Sequence, residues 1–121
     1  MSAYRMDASS GLLTHLQTIP TVPDEFKLVS HCAEIKTTPD GKWLFAPNRA
    51  LPVTGCCSVA VFAVDSGSGG LQLSEICLIN DVPDSFSPQH IALDPTGQIV
   101  CESTMQHAPS WSSAATFARC Q

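Results

Sequence analysis

Residues 38–49 read TPDGKWLFAPNR, a tight turn that runs straight into an apolar stretch and stops at an arginine. Pro39-Asp40-Gly41 is a turn signature: proline presets φ, aspartate hydrogen-bonds back to the chain, and glycine accepts a positive φ. Trp43-Leu44-Phe45-Ala46 is then apolar at every position, as a strand covered on both faces must be. The unit occurs twice. Thr38-Pro39-Asp40-Gly41-Lys42-Trp43-Leu44-Phe45 aligns with Asp94-Pro95-Thr96-Gly97-Gln98-Ile99-Val100-Cys101, and Gly41 and Gly97 lie 56 positions apart. A second pair agrees. Tyr4-Arg5-Met6-Asp7, a Ser/Gly turn and Leu12-Leu13 match Phe62-Ala63-Val64-Asp65, a Ser/Gly turn and Leu71-Gln72-Leu73; Asp7 and Asp65 are 58 positions apart. Two offsets that nearly coincide define a repeat.

Within one period the strands can be placed. Residues 32–38 form a first strand, reversed at 39–41, and 42–47 return as a second. Residues 58–64, SVAVFAV, are a third, apolar on both faces; Asp65 to Gly70 is a hairpin turn, and Leu71 to Ile79 a fourth strand of mixed polarity. Helical periodicity is almost absent. Four antiparallel strands in a repeat of about 40–50 residues or a little more mark a β-propeller blade. The expected fold is all-β: a partial β-propeller, about two four-stranded antiparallel blades of an incomplete ring. It comprises the end of one blade (1–20), a whole blade (31–79) and the start of a third. Residues 1–100 carry this pattern, whereas 101–121 are small and polar without alternation and read as an irregular, disrupted end. A propeller needs at least about four blades of some 40 residues to close, so 121 residues cannot close a ring alone and the chain reads as a fragment.

Composition narrows the partners. The chain is 44% hydrophobic, 14% charged and carries a net charge of −5, which supplies a core but no basic face for nucleic acid or an anionic membrane. The N-terminus lacks the basic start and apolar run of a secretory signal, and no stretch approaches a membrane span. A cytoplasmic protein is expected. Its six cysteines (Cys32, Cys56, Cys57, Cys77, Cys101, Cys120) are then expected to be reduced. With no Cys-x-x-Cys or closely spaced Cys/His set, no metal and no cofactor are expected.

Antiparallel alternation also sorts the loops. If the turn at 39–42 sits at one end of the blade, the far ends of the strands it joins, the 50–57 loop and the 80–90 segment gather at the other. Glu34, Arg49, Gln89 and His90 are thereby expected around one face, with Arg49 ending its strand at a pocket mouth.

The ordered residues HCAEIKTTPDGKWLFAPNRA, SVAVFAVDSGSGGLQLSEICLI and SPQHIALDPTGQIV resemble the lactonase family of seven-bladed propellers. That family includes propeller-type 6-phosphogluconolactonases and fungal carboxy-muconate cyclases. The likeness covers residues 4 to about 100, and its most specific parts are Asn48-Arg49 and the Asp/Ser/Gly/Leu turn. One departure stands out: where the family has Pro-Arg, this chain has Pro88-Gln89. The resemblance implies a small-molecule lactone as partner, and an activity of lactone hydrolysis or lactone-forming cyclisation.

Lactone hydrolysis needs an activated water and donors for the developing oxyanion. Arg49 suits the oxyanion, or a phosphate or carboxylate of the substrate. His90 suits proton transfer, and Glu34, its repeat equivalent, suits a base or a metal ligand. Asn48, Gln89 and His31 are candidate substrate contacts, Asn48 being equally suited to capping a turn. A second reading is a non-catalytic propeller segment that binds protein. Exposed blade edges are expected to self-associate.

Overall fold

The structure, a computed structural model, describes residues 1–27, 29–51, 57–79, 88–93, 95, 99–104 and 114–118, of which 50–51, 88–89, 99–104 and 114–118 by backbone alone. All regular elements among them are strands: β1 (Ser2–Met6), β2 (Leu13–Thr18), β3 (Val29–Cys32), β4 (Lys36–Thr37), β5 (Trp43–Leu51), β6 (Cys57–Val64), β7 (Leu71–Ile79), β8 (Pro88–Leu93), β9 (Ile99–Thr104) and β10 (Ala114–Ala118). They form three antiparallel sheets in chain order. The first pairs β1 with β2; the middle sheet runs β3 and β4, β5, β6, β7; the third runs β8, β9, β10. Each sheet is one blade or part of one, as the repeat requires.

The repeat extends to individual hydrogen bonds. Gly11 N donates to Asp7 O and Gly69 N to Asp65 O, both at 2.8 Å. In each hairpin the aspartate carboxylate also accepts from turn amides, Ser9 and Ser10 on Asp7 and Ser68 on Asp65. Gly69 holds φ 74° and Gly41, in the turn between β4 and β5, holds 69°; a residue with a Cβ is strained there. Asp40 closes that second turn by accepting from Thr38 Oγ1 at 2.6 Å and Lys42 N at 3.1 Å.

Pleating then decides which blade covers which side chain. On β5, Leu44 and Ala46 face the first blade, joined by Ala60 and Phe62 of β6, with Met1 and Ile19 packed against them. The opposite face carries Cys57, Val59 and Ile79, which with Phe45 meet Ile91 and Leu93 of the third blade. The all-apolar runs of β5 and β6 are therefore apolar because each lies between two blades. Phe62 and Ala60 are fully buried. The first blade is further fixed by Gln17, whose side chain both donates to Leu71 O (2.8 Å) and accepts from Leu71 N (3.0 Å), and by Arg5 donating to Ser68 O (2.9 Å).

Four expectations are corrected. The first strand is not continuous over 32–38: β3 and β4 are separated at 33–35, where Glu34 turns toward the next blade. Arg49 does not end its strand, because β3 continues the ladder to Val29↔Leu51. Residues 101–121 are not irregular throughout, since β9 runs to Thr104 and Ala114–Ala118 pairs with it, Thr116 opposite Cys101. Thiols are not all reduced, because Cys77 is disulfide-bonded. The vicinal Cys56-Cys57 loop lies partly outside the described residues, as does most of the 80–90 segment.

Candidate functional site at the inner blade edges

The inner strands of the middle and third blades, β4 and β8, run beside an open groove of about 610 Å³ lined in part by Lys36, Thr37, Thr38, Ile91 and Leu93. Glu34, in the break before β4, reaches from the middle blade to the third. Its Oε2 accepts a 2.8 Å hydrogen bond from Ile91 N on the open edge of β8. Its Oε1 lies 2.8 Å from Lys36 Nζ, and Oε2 lies 3.6 Å from His90 Nδ1. The Lys36 hydrogen bond first, and the Ile91 amide second, hold the Glu34 carboxyl below the usual glutamate range. Glu34 is thus a fixed anion beside an exposed imidazole, and it ties two blades together.

His90 owes its place to an irregularity. The β8–β9 register shifts between Pro88 and His90, so that Pro88 is opposite Thr104 and His90 opposite Ser103. A bulge of this kind re-aims the side chains beside it. Gln89 is the intervening residue; its side chain lies outside the described residues.

Arg49 and His31 face each other across the β3–β5 ladder and so share a face of the sheet. By alternation along β5 this is the face of Phe45, turned toward the third blade. Arg49 is half-buried, and its Nε is a buried donor with no hydrogen-bond partner among the described residues. A buried guanidinium nitrogen left without an acceptor is costly, and an anion relieves it. No hydrogen bond or ion pair joins Arg49 to Glu34 or His90. The structure therefore yields two pairs, Glu34 with His90 and Arg49 with His31.

Asn48 is placed differently. It points to the first blade, is 1% exposed, and its amide is fully engaged. Oδ1 accepts from Thr21 Oγ1 (2.7 Å) and Cys32 Sγ (3.2 Å), while Nδ2 donates to Thr21 O (2.7 Å) and Ser58 Oγ (3.3 Å). Its geometry is that of a buried latch holding the segment after β2 to β3, β5 and β6 of the middle blade. Lys36, Thr21, Ile91 and Ser58 of these networks were not singled out from the sequence. Lys36 had a signal, since Glu34-x-Lys36 has the spacing that puts alternate residues on one side of a chain in extended form. Thr21, 27 positions from Asn48, had none. Among the described residues no group of three or more His, Cys, Asp or Glu is placed to hold a metal.

Three successive antiparallel blades, each packing its apolar face on the next, make this a segment of a β-propeller. The sequence profile of the family described as "Lactonase, 7-bladed beta-propeller" matches residues 1–111, and the chain belongs to that family. It is 26% identical over 100 residues to the 6-phosphogluconolactonase of Pectobacterium carotovorum subsp. carotovorum (strain PC1), covering 83% of this chain and 27% of that protein. It is 34% identical over 87 residues to a "Probable 6-phosphogluconolactonase" of Arthroderma benhamiae, covering 71% of this chain and 21% of that one. The chain thus spans about a quarter of the length of the curated relatives it matches. Among solved structures, a Lactobacillus plantarum protein superposes with a TM-score of 0.75 at 25% identity, over 98% of this chain and 30% of that one. The periplasmic gluconolactonase of Pseudomonas aeruginosa gives 0.76 at 24% identity, over 98% and 29%.

Proposed function

We propose that these blades carry part of the substrate face of a lactonase acting on a sugar or carboxylated lactone, 6-phosphogluconolactonase-like in chemistry. The observation that carries the reading is the Glu34–His90 pair at the inner blade edges, 3.6 Å apart. In this scheme His90, exposed and reachable by water, takes a proton from the water that attacks the lactone carbonyl. Glu34 is held as an anion, so it serves better to orient and balance the imidazolium than to accept the proton itself. Arg49, whose Nε has no partner among the described residues, takes the oxyanion or the substrate's phosphate or carboxylate. Gln89 and His31 contact neutral hydroxyl oxygens, and no metal or cofactor enters. Collapse of the tetrahedral adduct breaks the acyl C–O bond, the His90 imidazolium returns its proton to the leaving ring oxygen, and the new acid ionises to solvent, leaving a carboxylate and a hydroxyl.

NMR titration of the ¹⁵N-labelled chain with 6-phosphogluconate tests this. Shifts clustered at Arg49, His90 and Ile91, and lost in Arg49→Ala, are expected; shifts elsewhere, or none, would overturn it. The 121-residue chain alone is expected to hydrolyse no 6-phosphogluconolactone above background, because it spans so small a share of its relatives. Measured turnover would contradict that part. A protein-binding role is the second reading, favoured by Pro88-Gln89 in place of the family's Pro-Arg. The reading also places the protein in the cytoplasm; recovery from an oxidising compartment, in line with the Cys77 disulfide, would overturn that.

A further inference from the structure

Lys36 takes no part in the hydrolysis proposed above, yet it is the one charged side chain among the described residues that line the groove between β4 and β8. Both walls of that groove belong to blades within this chain. Pro39, Ile91, Leu93 and Pro95 make its lining largely apolar, with Thr37 next to Lys36 on β4. An ammonium facing apolar walls meets an anion with less competition from water.

The fold does not require a cation at position 36. The 56-residue offset makes Lys36 the equivalent of Ala92 on β8, so the inner strand of a blade forms without one. Its side chain is 45% exposed, and an ion pair that open to water contributes little to stability. Glu34 has a second anchor in the Ile91 amide, at 2.8 Å. An ammonium carries three N–H donors. Glu34 Oε1, at 2.8 Å, takes one, and no other partner meets Lys36 among the described residues. Two donors are left for an acceptor in the groove. Glu34 also sets the distance from this cation to the proton-transfer group. Lys36 Nζ sits on Oε1, and His90 Nδ1 lies 3.6 Å from Oε2 of the same carboxylate. The separation is of the order of that between the carbonyl carbon and the C6 substituent of a six-carbon lactone.

We propose that Lys36 determines specificity by holding, in the groove, the phosphate or carboxylate that the lactone carries away from its reacting carbonyl. Arg49 is then left with the oxyanion. This rests on the lactonase reading and goes beyond it in naming the side chain that selects an acidic lactone over a neutral one.

NMR titrations of the ¹⁵N-labelled chain with three sugar acids test it. They are 6-phosphogluconate, glucarate, which has a second carboxylate at C6, and gluconate, which has neither group there. A ligand bearing the second anion is expected to bind about tenfold tighter than gluconate and to shift the Thr37 and Leu93 amides. Whether 6-phosphogluconate or glucarate gains more tells which anion the groove takes. Lys36→Met should reduce that ligand to the affinity of gluconate and leave gluconate unchanged, whereas Lys36→Arg should keep the preference. Equal weakening of all three ligands by Lys36→Met would mean that Lys36 only steadies Glu34, and would overturn the proposal. So would 6-phosphogluconate and glucarate binding no tighter than gluconate, or keeping their advantage in Lys36→Met. In those cases shifts at Arg49, His90 and Ile91 still uphold the lactonase reading. Absence of binding by all three ligands overturns both.

Discussion

Glu34 turns a surface carboxylate into a joint between blades. Its lowered pKa fixes the sign of a pH effect: the stability it contributes is fully present above the ordinary glutamate range and is lost as pH falls through its depressed folded value. Glu34→Gln should therefore flatten the acid limb of the stability profile relative to the unsubstituted chain, as read by urea melts from neutral pH downward. Asn48 makes a separate prediction. Asn48→Ala leaves Thr21 and Ser58 short of a buried partner and should cost about 1–3 kcal/mol in the same melts. At this scale the sequence pointed to positions better than to roles. The 56-residue offset placed Glu34 and His90 as equivalents, and the fold then set them side by side. Asn48-Arg49 stood out as a polar end to an apolar strand, but only the pleat separates a buried latch from a guanidinium whose Nε has no hydrogen-bond partner among the described residues.

Strands and turns were legible because their signals are local. Pro39-Asp40-Gly41 and Asp65 to Gly70 reverse the chain where expected, and Leu71–Ile79 has the predicted bounds. Gly41 has open space where a Cβ would stand, so only its φ of 69° resists substitution. Gly41→Ala should cost about 1–2 kcal/mol through backbone strain alone, whereas Gly41→Asn should cost less, and thermal melts distinguish the two. What escaped was set by neighbours. The break between β3 and β4 exists because Glu34 leaves the ladder for Ile91, a residue 57 positions away. β5 extends past Arg49 because β3 is there to receive it. β10 pairs as Ala-Ala-Thr-Phe-Ala, a run too small and mixed for alternation to reveal.

The whole molecule is a stack whose cohesion lies between blades. Phe62, fully buried at the junction of the first and middle blades, should cost about 3–5 kcal/mol when truncated to alanine. That is enough to threaten a domain whose total stability is of ordinary size. Calorimetry should show a single cooperative transition lost or strongly lowered in Phe62→Ala. The partial propeller itself was readable from two coincident offsets, because blades repeat in sequence as they do in space. The contacts that make neighbouring blades one body, Gln17 on Leu71 and Glu34 on Ile91, were not readable. Their separations, 54 and 57 residues, lie close to the repeat, but periodicity marks equivalent positions and not which side chain crosses to the neighbouring blade.

The carboxylate that crosses from the middle blade to β8 is the point on which the candidate site turns, and the Ile91 amide reports on it directly. Followed by NMR as pH is lowered, this proton should move upfield as Glu34 is protonated, with a midpoint below the ordinary glutamate value, and should be still in Glu34→Gln. An Ile91 amide indifferent to pH, or one that shifts equally in Glu34→Gln, would mean that the two blades are not joined there and that His90 is not held beside an anion.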